Sequence, residues 1–498
     1  MSQEQKQDLK AKYDLVVIGG GPSGVPIVLE YAKLNPEKKI ALIDDKNRLG
    51  GAAVFDGPLA SKVVLMSASH LQDLQRLQTF GIEIEPHHYN FAWQKLIERK
   101  NQLTQRVSSD IYKEIKALPN IELIRAKVRF DGKKVLMLKQ KDTTYEIGFK
   151  KCVIAIGTVP SIPPFKGNAV DKAWLSKDFF DTMELPKSIS IIGSGVVAIE
   201  SAQMFSAFGV QVNLISRTKT ILNKRVDEDM ASVIIQKMEE DKNITLYMNA
   251  RVNEINHDGE KFEVTALHGR DHISIYSQRV LIATGRKPEV EDMHLQYAKI
   301  AYDRRGVQVD AHLKSTNENV YANGTVAIEF PKHFHTAKYG AHIIAQNLLL
   351  EHDVFKADFE QDTWSLFSRP NVVVSGITER MADLKDLDFV VEKYPFSKNI
   401  KAQIEGRTEG YIKYIVDASN QRILGIGIVG DNAHILAGEA AMITAKKMTL
   451  RDVVNISFPH PTLSEVFSSL AKQMLGESLE EKLKQPFFKA LLKLERFL

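Results

Sequence analysis

The first chemistry that the sequence suggests is phosphate binding, at a glycine-rich turn near the N-terminus. Gly19, Gly21 and Gly24 follow the GxGxxG spacing, and Asp44 lies twenty positions past the last of them. Glycines at this spacing let the backbone approach a pyrophosphate at a helix N-terminus, where the helix dipole favours anions. The acidic residue can accept hydrogen bonds from a ribose 2′-hydroxyl. The pattern therefore predicts a bound dinucleotide.

A second turn of this kind predicts a second nucleotide. It contains Gly193 and Gly195, with Ala198 in the place of the third glycine. The strand that follows leads into a turn with hydroxyl and basic side chains: Ser216, Arg217 and Lys219. A carboxylate there would repel a 2′-phosphate, whereas arginine and lysine pair with it. The turn favours NADPH, with NADH still possible and a solvated basic turn as the alternative.

Composition excludes several other chemistries. The only cysteine of the 498 residues is Cys152, so the chain has no intramolecular disulfide and no multi-cysteine metal site, and we predict no bound metal. The net charge of +4 is spread along the chain and gives no reason to expect nucleic acid. No apolar run approaches the ~18 residues of a membrane span. The expected location is the cytoplasm.

Two βαβ units must position the glycine turns. An apolar run over 13–18 ends in the first turn, a helix-spaced segment covers 25–33, and a second apolar run ends at Asp44. The same order recurs over 188–215, and the segments 155–160 and 283–288 echo each other. After residue 360, strand-like segments and two helix-like segments, over 433–447 and from 462 onward, indicate a separate domain. We predict an α/β fold with two Rossmann-like dinucleotide-binding domains and a C-terminal α+β domain.

These motifs together resemble the pyridine nucleotide–disulfide oxidoreductases, the family of dihydrolipoamide dehydrogenase, mercuric reductase and soluble pyridine nucleotide transhydrogenase. The resemblance runs from about residue 13 to 470. The matching segments are 19–24, 50–62, 193–200, 283–289, 320–326, 408–410, 423–425 and 460–465. It implies FAD on the first unit, NAD(P)H on the second and a homodimer formed by the C-terminal domain.

The resemblance also implies a domain organisation. The predicted segments are a flexible N-terminus (1–12), an FAD-binding domain in two parts (13–160 and 286–355), an NAD(P)H-binding domain (161–285), a dimerisation domain (360–476) and an amphipathic tail (477–498).

The loop at 50–62 departs from the family pattern. Relatives carry GG-x-C-x4-C-x-P-S-K there, and this chain has Ala53 and Pro58 at the two cysteine positions. Only a cysteine pair, in its disulfide form, can take an electron pair from a flavin in this way, so disulfide reduction is not expected. Lys62 remains, and the resemblance implies that it lies near flavin N5, paired with Glu200. An ammonium group there stabilises the negative charge that builds up as hydride arrives.

An acid–base pair is implied at His460 and Glu465, which each subunit of the dimer would deliver to the other. A carboxylate that orients an imidazole raises its basicity and fixes its tautomer. Because the chain has no thiol pair to protonate, the two residues either serve a different acceptor or have a structural role only.

The second FAD segment also differs from the family. Thr325 stands where relatives carry the aspartate that holds the flavin ribitol, which we expect to cost ~1–2 kcal/mol of FAD affinity. Further cofactor contacts are implied at Gly51, Ala126, Gly157, Gly285 and Arg286.

The predicted function is an FAD-dependent NAD(P)H oxidoreductase that passes electrons directly to a small second acceptor, as a transhydrogenase or a diaphorase does. One alternative is a non-catalytic FAD- and NAD(P)-binding pseudoenzyme. Another is a quinone reductase at the membrane surface, because the tail alternates apolar and lysine residues and could make weak contact with an anionic membrane.

Overall fold

The computed structural model describes residues 9–46, 48–74, 76–83 and 91–484. The first part of the chain contains β1 (Ala11–Ile18), α1 (Val25–Leu34), β2 (Ile40–Ile43), α2 (Gly51–Phe55), α3 (Pro58–Leu74), α4 (Trp93–Lys116), β3 (Ile121–Ile124), β4 (Lys127–Gly132), β5 (Val135–Gln140), β6 (Thr143–Ile154) and β7 (Val159–Pro160). The next part contains β8 (Ser188–Ile192), α5 (Val196–Ala207), β9 (Gln211–Ile215), α6 (Glu228–Glu239), β10 (Ile244–Tyr247), β11 (Ala250–His257), β12 (Phe262–His268), β13 (Asp271–Ser277) and β14 (Arg279–Ile282).

The remaining elements follow the second nucleotide unit. They are β15 (Arg286–Lys287), β16 (Tyr302–Asp303), β17 (Gly306–Val307), β18 (Val320–Ala322), α7 (Phe334–Leu350), β19 (Thr363–Leu366), β20 (Asn371–Gly376), α8 (Glu379–Leu384), β21 (Phe389–Pro395), α9 (Ile400–Ile404), β22 (Gly410–Asp417), β23 (Ile423–Gly430), α10 (Ala437–Ala445), α11 (Leu450–Val454) and α12 (Glu465–Lys484).

The first sheet has the order β3-β2-β1-β6-β5-β4, and β18 pairs with β6. β1 lies parallel to β2 and β6, and its central residues are fully buried. Such strands are apolar throughout because both faces of a parallel sheet are covered. β1 begins at Ala11, and its first two residues, Ala11 and Lys12, pair with β6. Because β18 comes from far along the chain, two separate stretches build this domain.

The second sheet, β10-β9-β8-β14, is parallel throughout and repeats the βαβ order. An antiparallel sheet, β11-β12-β13, accompanies it. The short antiparallel pair of β7 and β15 lies where the chain enters and leaves this part. The two predicted nucleotide-binding folds are thus confirmed.

The C-terminal domain is an antiparallel sheet in the order β19-β20-β23-β22-β21. Its core packs helix α12 against β22, and Tyr414 and Phe467 are fully buried there. The helix predicted over 433–447 is divided into a 3-10 turn (Ala433–Leu436) and α10. α12 begins at Glu465, whose carboxylate accepts the N–H of Thr462 in the segment before the helix. The predicted α+β domain is confirmed.

The two glycine turns are built alike. Gly19 has φ +116° and Gly193 has φ +141°. A Cβ on Gly19 would collide with the carbonyl oxygen of Ala155, and a Cβ on Gly193 with that of Ala283. These alanines open the two echoed segments 155–160 and 283–288. The internal repeat therefore has a physical cause, since each echo packs against the backbone of a glycine turn and leaves no room for a side chain.

Of the helices in the described ranges, none is long and apolar enough to cross a bilayer. The predicted amphipathic tail stays a prediction. α12 continues to Lys484, but the side chains from 477 onward and all of residues 485–498 lie outside the described part of the chain.

Candidate active site

An ion pair between Lys62 and Glu200 lies where the three domains meet. Lys62 is in the first turns of α3 and Glu200 is in α5, 138 residues away in sequence. Lys62 Nζ lies 2.8 Å from Glu200 Oε1 and 2.7 Å from Oε2. The Glu200 side chain is 7% exposed and that of Lys62 is 29% exposed. The pair is therefore oriented by contacts to both carboxylate oxygens and is partly screened from water.

Phe367, just past β19, completes this group. Its backbone N–H donates to Glu200 Oε1 at 3.0 Å, and its ring centroid lies 4.6 Å from Lys62 Nζ. The glutamate thus accepts hydrogen bonds from two domains, and the ammonium group lies over an aromatic face. The sequence pattern gave no sign of Phe367, because its contribution is a backbone N–H that any residue except proline could supply.

The loop that holds cysteines in the resembling family is helical here. Ala53 lies in α2 and Pro58 is the first residue of α3, a position that suits proline because its missing N–H would be unpaired in any case. The single cysteine, Cys152, lies in β6 and is fully buried. Burial raises the pKa of its thiol, so Cys152 stays protonated and cannot act as a redox thiolate.

The first glycine turn forms a cradle for a dinucleotide. A Cβ on Gly21 would meet no atom within 4 Å, so this backbone faces open space. Asp44 lies at the end of β2, and its Oδ2 accepts the N–H of Gly20 at 2.9 Å. A cavity of about 300 Å³ continues from the turn, and its lining includes Asp44, Gly51, Asp56, Thr158 and Arg286. Ala126 is buried two residues past Ile124, whose carbonyl accepts the N–H of Asp44.

Four predicted or adjacent residues meet on the far side of this cavity. Thr325 Oγ1 lies 3.3 Å from Thr158 Oγ1, and Arg286 Nε donates to the same hydroxyl at 3.0 Å. Gly157 adjoins them with φ +69°. Burial lowers the pKa of Arg286 and raises that of Asp56. This cluster and the open glycine backbone fit the diphosphate and polyol parts of FAD, because they offer donors and a cation in a groove that a side chain on Gly21 would obstruct.

One buried side chain that the sequence did not single out holds the cradle together. Asn323 is fully buried, and its amide donates to the carbonyl oxygens of Ser23 at 2.8 Å and Ala337 at 3.0 Å. It therefore ties the first glycine turn to α7.

The second glycine turn leads into α5, where Ala198 is fully buried and lies close to Gly193. The backbone at Gly195 and Gly285 faces open space, since a Cβ on either would meet no atom within 4 Å. Past β9, the three residues predicted to bind the cofactor differ in their exposure to solvent. Ser216 is fully buried, and its Oγ accepts the N–H of Thr218 at 3.1 Å. Arg217 and Lys219 are exposed. Ser216 thus shapes the turn, and the two cations remain accessible to a ligand.

His460 and Glu465 lie together at the start of α12. His460 Nδ1 lies 2.9 Å from Glu465 Oε1, and the hydrogen bond to the imidazole lowers the pKa of this carboxyl group. The His460 side chain is 65% exposed. Within one chain this pair makes no hydrogen bond to Lys62 or Glu200 in the described ranges.

A cluster of three carboxylates elsewhere is paired with a buried lysine. Asp227, Asp229 and Glu379 lie close enough to share a cation. The fully buried Lys413 supplies one, with Nζ 2.8 Å from Asp227, 3.0 Å from Asp229 and 2.5 Å from Glu379. The cluster joins α6 to the C-terminal sheet.

Comparison with known proteins agrees with this architecture. Residues 13–341 match the model of the pyridine nucleotide-disulphide oxidoreductases, and residues 363–471 match the dimerisation domain of that family. Dihydrolipoyl dehydrogenase of Bacillus subtilis (strain 168) is 28% identical over 466 residues, which cover 93% of this chain and 98% of the relative. Mercuric reductase of Staphylococcus aureus is 27% identical over 457 residues, 91% of this chain and 81% of the relative.

A third relative is known in three dimensions. The probable pyridine nucleotide-disulfide oxidoreductase RclA of Escherichia coli (strain K12) is 26% identical over 464 residues, 92% of this chain and 98% of the relative. The fold of this chain matches the Cu(II) complex of that flavoprotein disulfide reductase with a TM-score of 0.81 at 24% identity, over 93% of this chain and 99% of the other.

Members of this family are FAD-dependent oxidoreductases and bind a nicotinamide cofactor. The presence of the dimerisation domain supports a homodimer. With one family model covering more than half of its length, the chain belongs to the pyridine nucleotide-disulphide oxidoreductases, and it lacks their cysteine pair.

Proposed function

We propose that the protein is an FAD-dependent NAD(P)H oxidoreductase that passes electrons from the flavin directly to a second, small acceptor. The observation that carries this proposal is the intact contact of Lys62, Glu200 and Phe367 beside a loop without cysteines. A purely structural remnant would have no reason to keep a largely buried ion pair, which stabilises a fold little compared with apolar packing. We further propose that it acts as a homodimer.

FAD, when bound, supplies the two-electron chemistry between a nicotinamide and the acceptor. Lys62 would supply a fixed positive charge to the bound flavin. Glu200 orients that ammonium group, since both of its oxygens contact Nζ and the backbone N–H of Phe367 holds the carboxylate in turn. A charge that is oriented before the reaction needs no reorganisation as negative charge develops, and this is the main source of electrostatic catalysis.

Arg217 and Lys219 support NADPH as the preferred electron donor. Both are exposed on the turn after β9, and Ser216 beneath them fixes the shape of that turn. A 2′-phosphate would pair with these cations, while a nucleotide without it would leave them solvated. We propose that His460 and Glu465 supply a proton to acceptors that need one. The exposed imidazole could reach such a molecule, and Glu465 orients it.

The proposal is tested on the purified holoenzyme. Anaerobic NADPH is expected to bleach the flavin absorbance, and NADH to do so more slowly. Oxidised thionicotinamide nucleotide, a benzoquinone, Cu(II) and dioxygen are then offered as acceptors. In the Arg217→Glu variant we expect the preference for NADPH over NADH to disappear, with Arg304→Glu, a surface arginine outside the second nucleotide unit, as the control. A colourless protein that cannot be reconstituted with FAD would instead support the non-catalytic alternative.

A further inference from the structure

A column of stacked side chains lies at a second junction of the three domains. Arg225 comes from the segment between β9 and α6, His333 and His335 flank the first residue of α7, and Trp364 lies in β19. The rings of Trp364 and His333 are 5.8 Å apart with 7° between their planes. Those of His333 and His335 are 5.4 Å apart with 6° between them. The Arg225 guanidinium carbon lies 4.7 Å from the Trp364 centroid.

The hydrogen bonds of the column determine the protonation state of His333. Arg225 Nη2 lies 2.8 Å from His333 Nε2. A guanidinium group can only donate, so His333 Nε2 accepts and the imidazole is neutral. Asp362 lies beneath, with Oδ2 3.5 Å from His333 Nε2 and Oδ1 3.3 Å from His335 Nε2. Burial lowers the pKa of His333 to about 4; Asp362 opposes this shift, and Arg225 and His335 act in the same direction as burial.

Arg225 is an exposed cation whose side-chain hydrogen bond is made to a neutral imidazole. Desolvation by the walls of the cleft lowers its pKa, and Asp362 is the carboxylate that opposes this effect. Lys332 adds a second positive charge, and its own pKa is lowered by burial and by Arg225. A planar guanidinium group bonds a phosphate through two charged acceptors, which is stronger than one bond to a neutral ring nitrogen.

The column is connected along the chain to both the second glycine turn and the Lys62–Glu200 pair. The N–H of Leu222, three residues before Arg225, donates to the carbonyl of Ser194 in that turn at 2.7 Å. Trp364 precedes Phe367 by three residues of extended chain, which span about 10 Å. Arg225 is thus close along the chain to a contact of the second glycine turn, and its stacking partner Trp364 is close along the chain to the Lys62–Glu200 group.

We propose that Arg225 binds the diphosphate of the nicotinamide nucleotide, and that its hydrogen bond to His333 is the arrangement of the free protein that the incoming diphosphate replaces. This inference rests on the proposed function for its ligand. His333 then acts as a competing acceptor: it holds the guanidinium group in place while the site is empty and weakens nucleotide binding by the strength of that bond. Arg225 is a binding residue, and His333 is a positioning residue.

The test is calorimetric titration of the FAD-loaded protein with NADP+, which binds without being turned over. Arg225→Gln should weaken NADP+ binding about 10- to 100-fold, the effect of losing one charge-assisted contact. His333→Ala should tighten it about two- to tenfold, because the competing acceptor is gone. His335 stacks on His333 in the same column without bonding Arg225. His335→Ala is therefore the matched control, and its affinity for NADP+ should be unchanged. Adenosine 2′,5′-bisphosphate, which lacks the diphosphate bridge, should bind all four proteins alike.

Opposite signs for the two variants distinguish this role from a structural one. If His333→Ala weakens NADP+ binding as Arg225→Gln does, the column merely supports the cleft and the proposal is overturned. An Arg225→Gln affinity equal to that of the unmodified protein also overturns it. Arg225→Lys keeps the positive charge and should lose less affinity for NADP+ than Arg225→Gln. If Arg225→Gln folds poorly, the affinity of Arg225→Lys tests the proposal in its place. If NADPH fails to reduce the flavin while these affinities follow the prediction, the proposed oxidoreductase function falls and the binding site stands.

Discussion

Replacing Lys62 by methionine separates the catalytic from the structural role of the ion pair. Methionine keeps the length of the side chain and removes the charge, so Glu200 loses both contacts of 2.7 and 2.8 Å and keeps only the N–H of Phe367. If the ammonium group stabilises charge that develops in the reaction, flavin reduction by NADPH should slow about 10²- to 10³-fold, or ~3–4 kcal/mol of activation free energy.

The same change should also lower stability. The Glu200 side chain is only 7% exposed, and a buried carboxylate without its partner costs ~3–5 kcal/mol. The figure here is nearer ~2–3 kcal/mol, because the 29% exposure of Lys62 lets water reach the vacated position and screen the carboxylate. We expect a lower midpoint of thermal unfolding and slower flavin reduction in the single variant.

A second variant tells the two effects apart. Lys62→Met combined with Glu200→Gln removes the buried negative charge, so stability should largely recover while the rate stays low. The assay is anaerobic stopped-flow reduction at matched FAD content, together with thermal unfolding of each protein. The reasoning would be refuted by a single variant that reduces its flavin as fast as the unmodified protein. It would equally be refuted by a double variant whose rate recovers along with its stability.

Three further predictions follow from the described contacts. Thr325→Asp should tighten FAD binding about tenfold, since a charged acceptor replaces a hydroxyl, and an unchanged dissociation constant for FAD would argue against this position as a cofactor contact. Lys413→Met should lower the free energy of unfolding by ~3–5 kcal/mol, because Asp227, Asp229 and Glu379 lose the ammonium group between them, and a denaturant titration that shows no change would contradict this. The pKa of His333 is lowered to about 4 in the folded protein, so between pH 6.5 and pH 4 the unfolded chain binds more protons than the folded protein. The free energy of unfolding should therefore fall by about 2–3 kcal/mol from pH 6.5 to pH 4. His333→Gln should flatten that part of the stability profile.

Much of the fold could be predicted because its signals are local. The apolar runs that become β1, β2, β8 and β9 each end at a glycine turn or a polar residue, and their burial follows directly from their composition. The helix over 433–447 was predicted less well. Its apolar spacing is continuous, yet Asn432 adopts φ +63° and the first turn is 3-10, so the regular helix starts only at Ala437.

The sequence could single out residues of the candidate site, but it could predict little of how they are arranged. Lys62 and Glu200 could be singled out only through resemblance, since nothing in the local pattern joins residues 138 positions apart. Ser216 was predicted as a cofactor-binding residue, and the pattern did not reveal that its buried hydroxyl bonds the backbone of Thr218, as hydroxyl residues in turns often do. The Arg225–His333 contact had no sequence signal, because the two residues belong to different domains.

The sequence by itself determined two dinucleotide-binding units, the family, and the loss of the thiol pair, because each depends on short-range order or on the plain count of cysteines. The tertiary structure alone decided which groups face one another: that Phe367 holds Glu200, that Lys413 lies among three carboxylates, and that Arg225 rests on a neutral imidazole. These contacts join residues 34 to 186 positions apart, and all but the contact of Lys413 with Glu379 form only when separate domains pack together. Their energies arise from burial and from the pairing of charges across domains, and neither can be deduced from the spacing of residues along the chain.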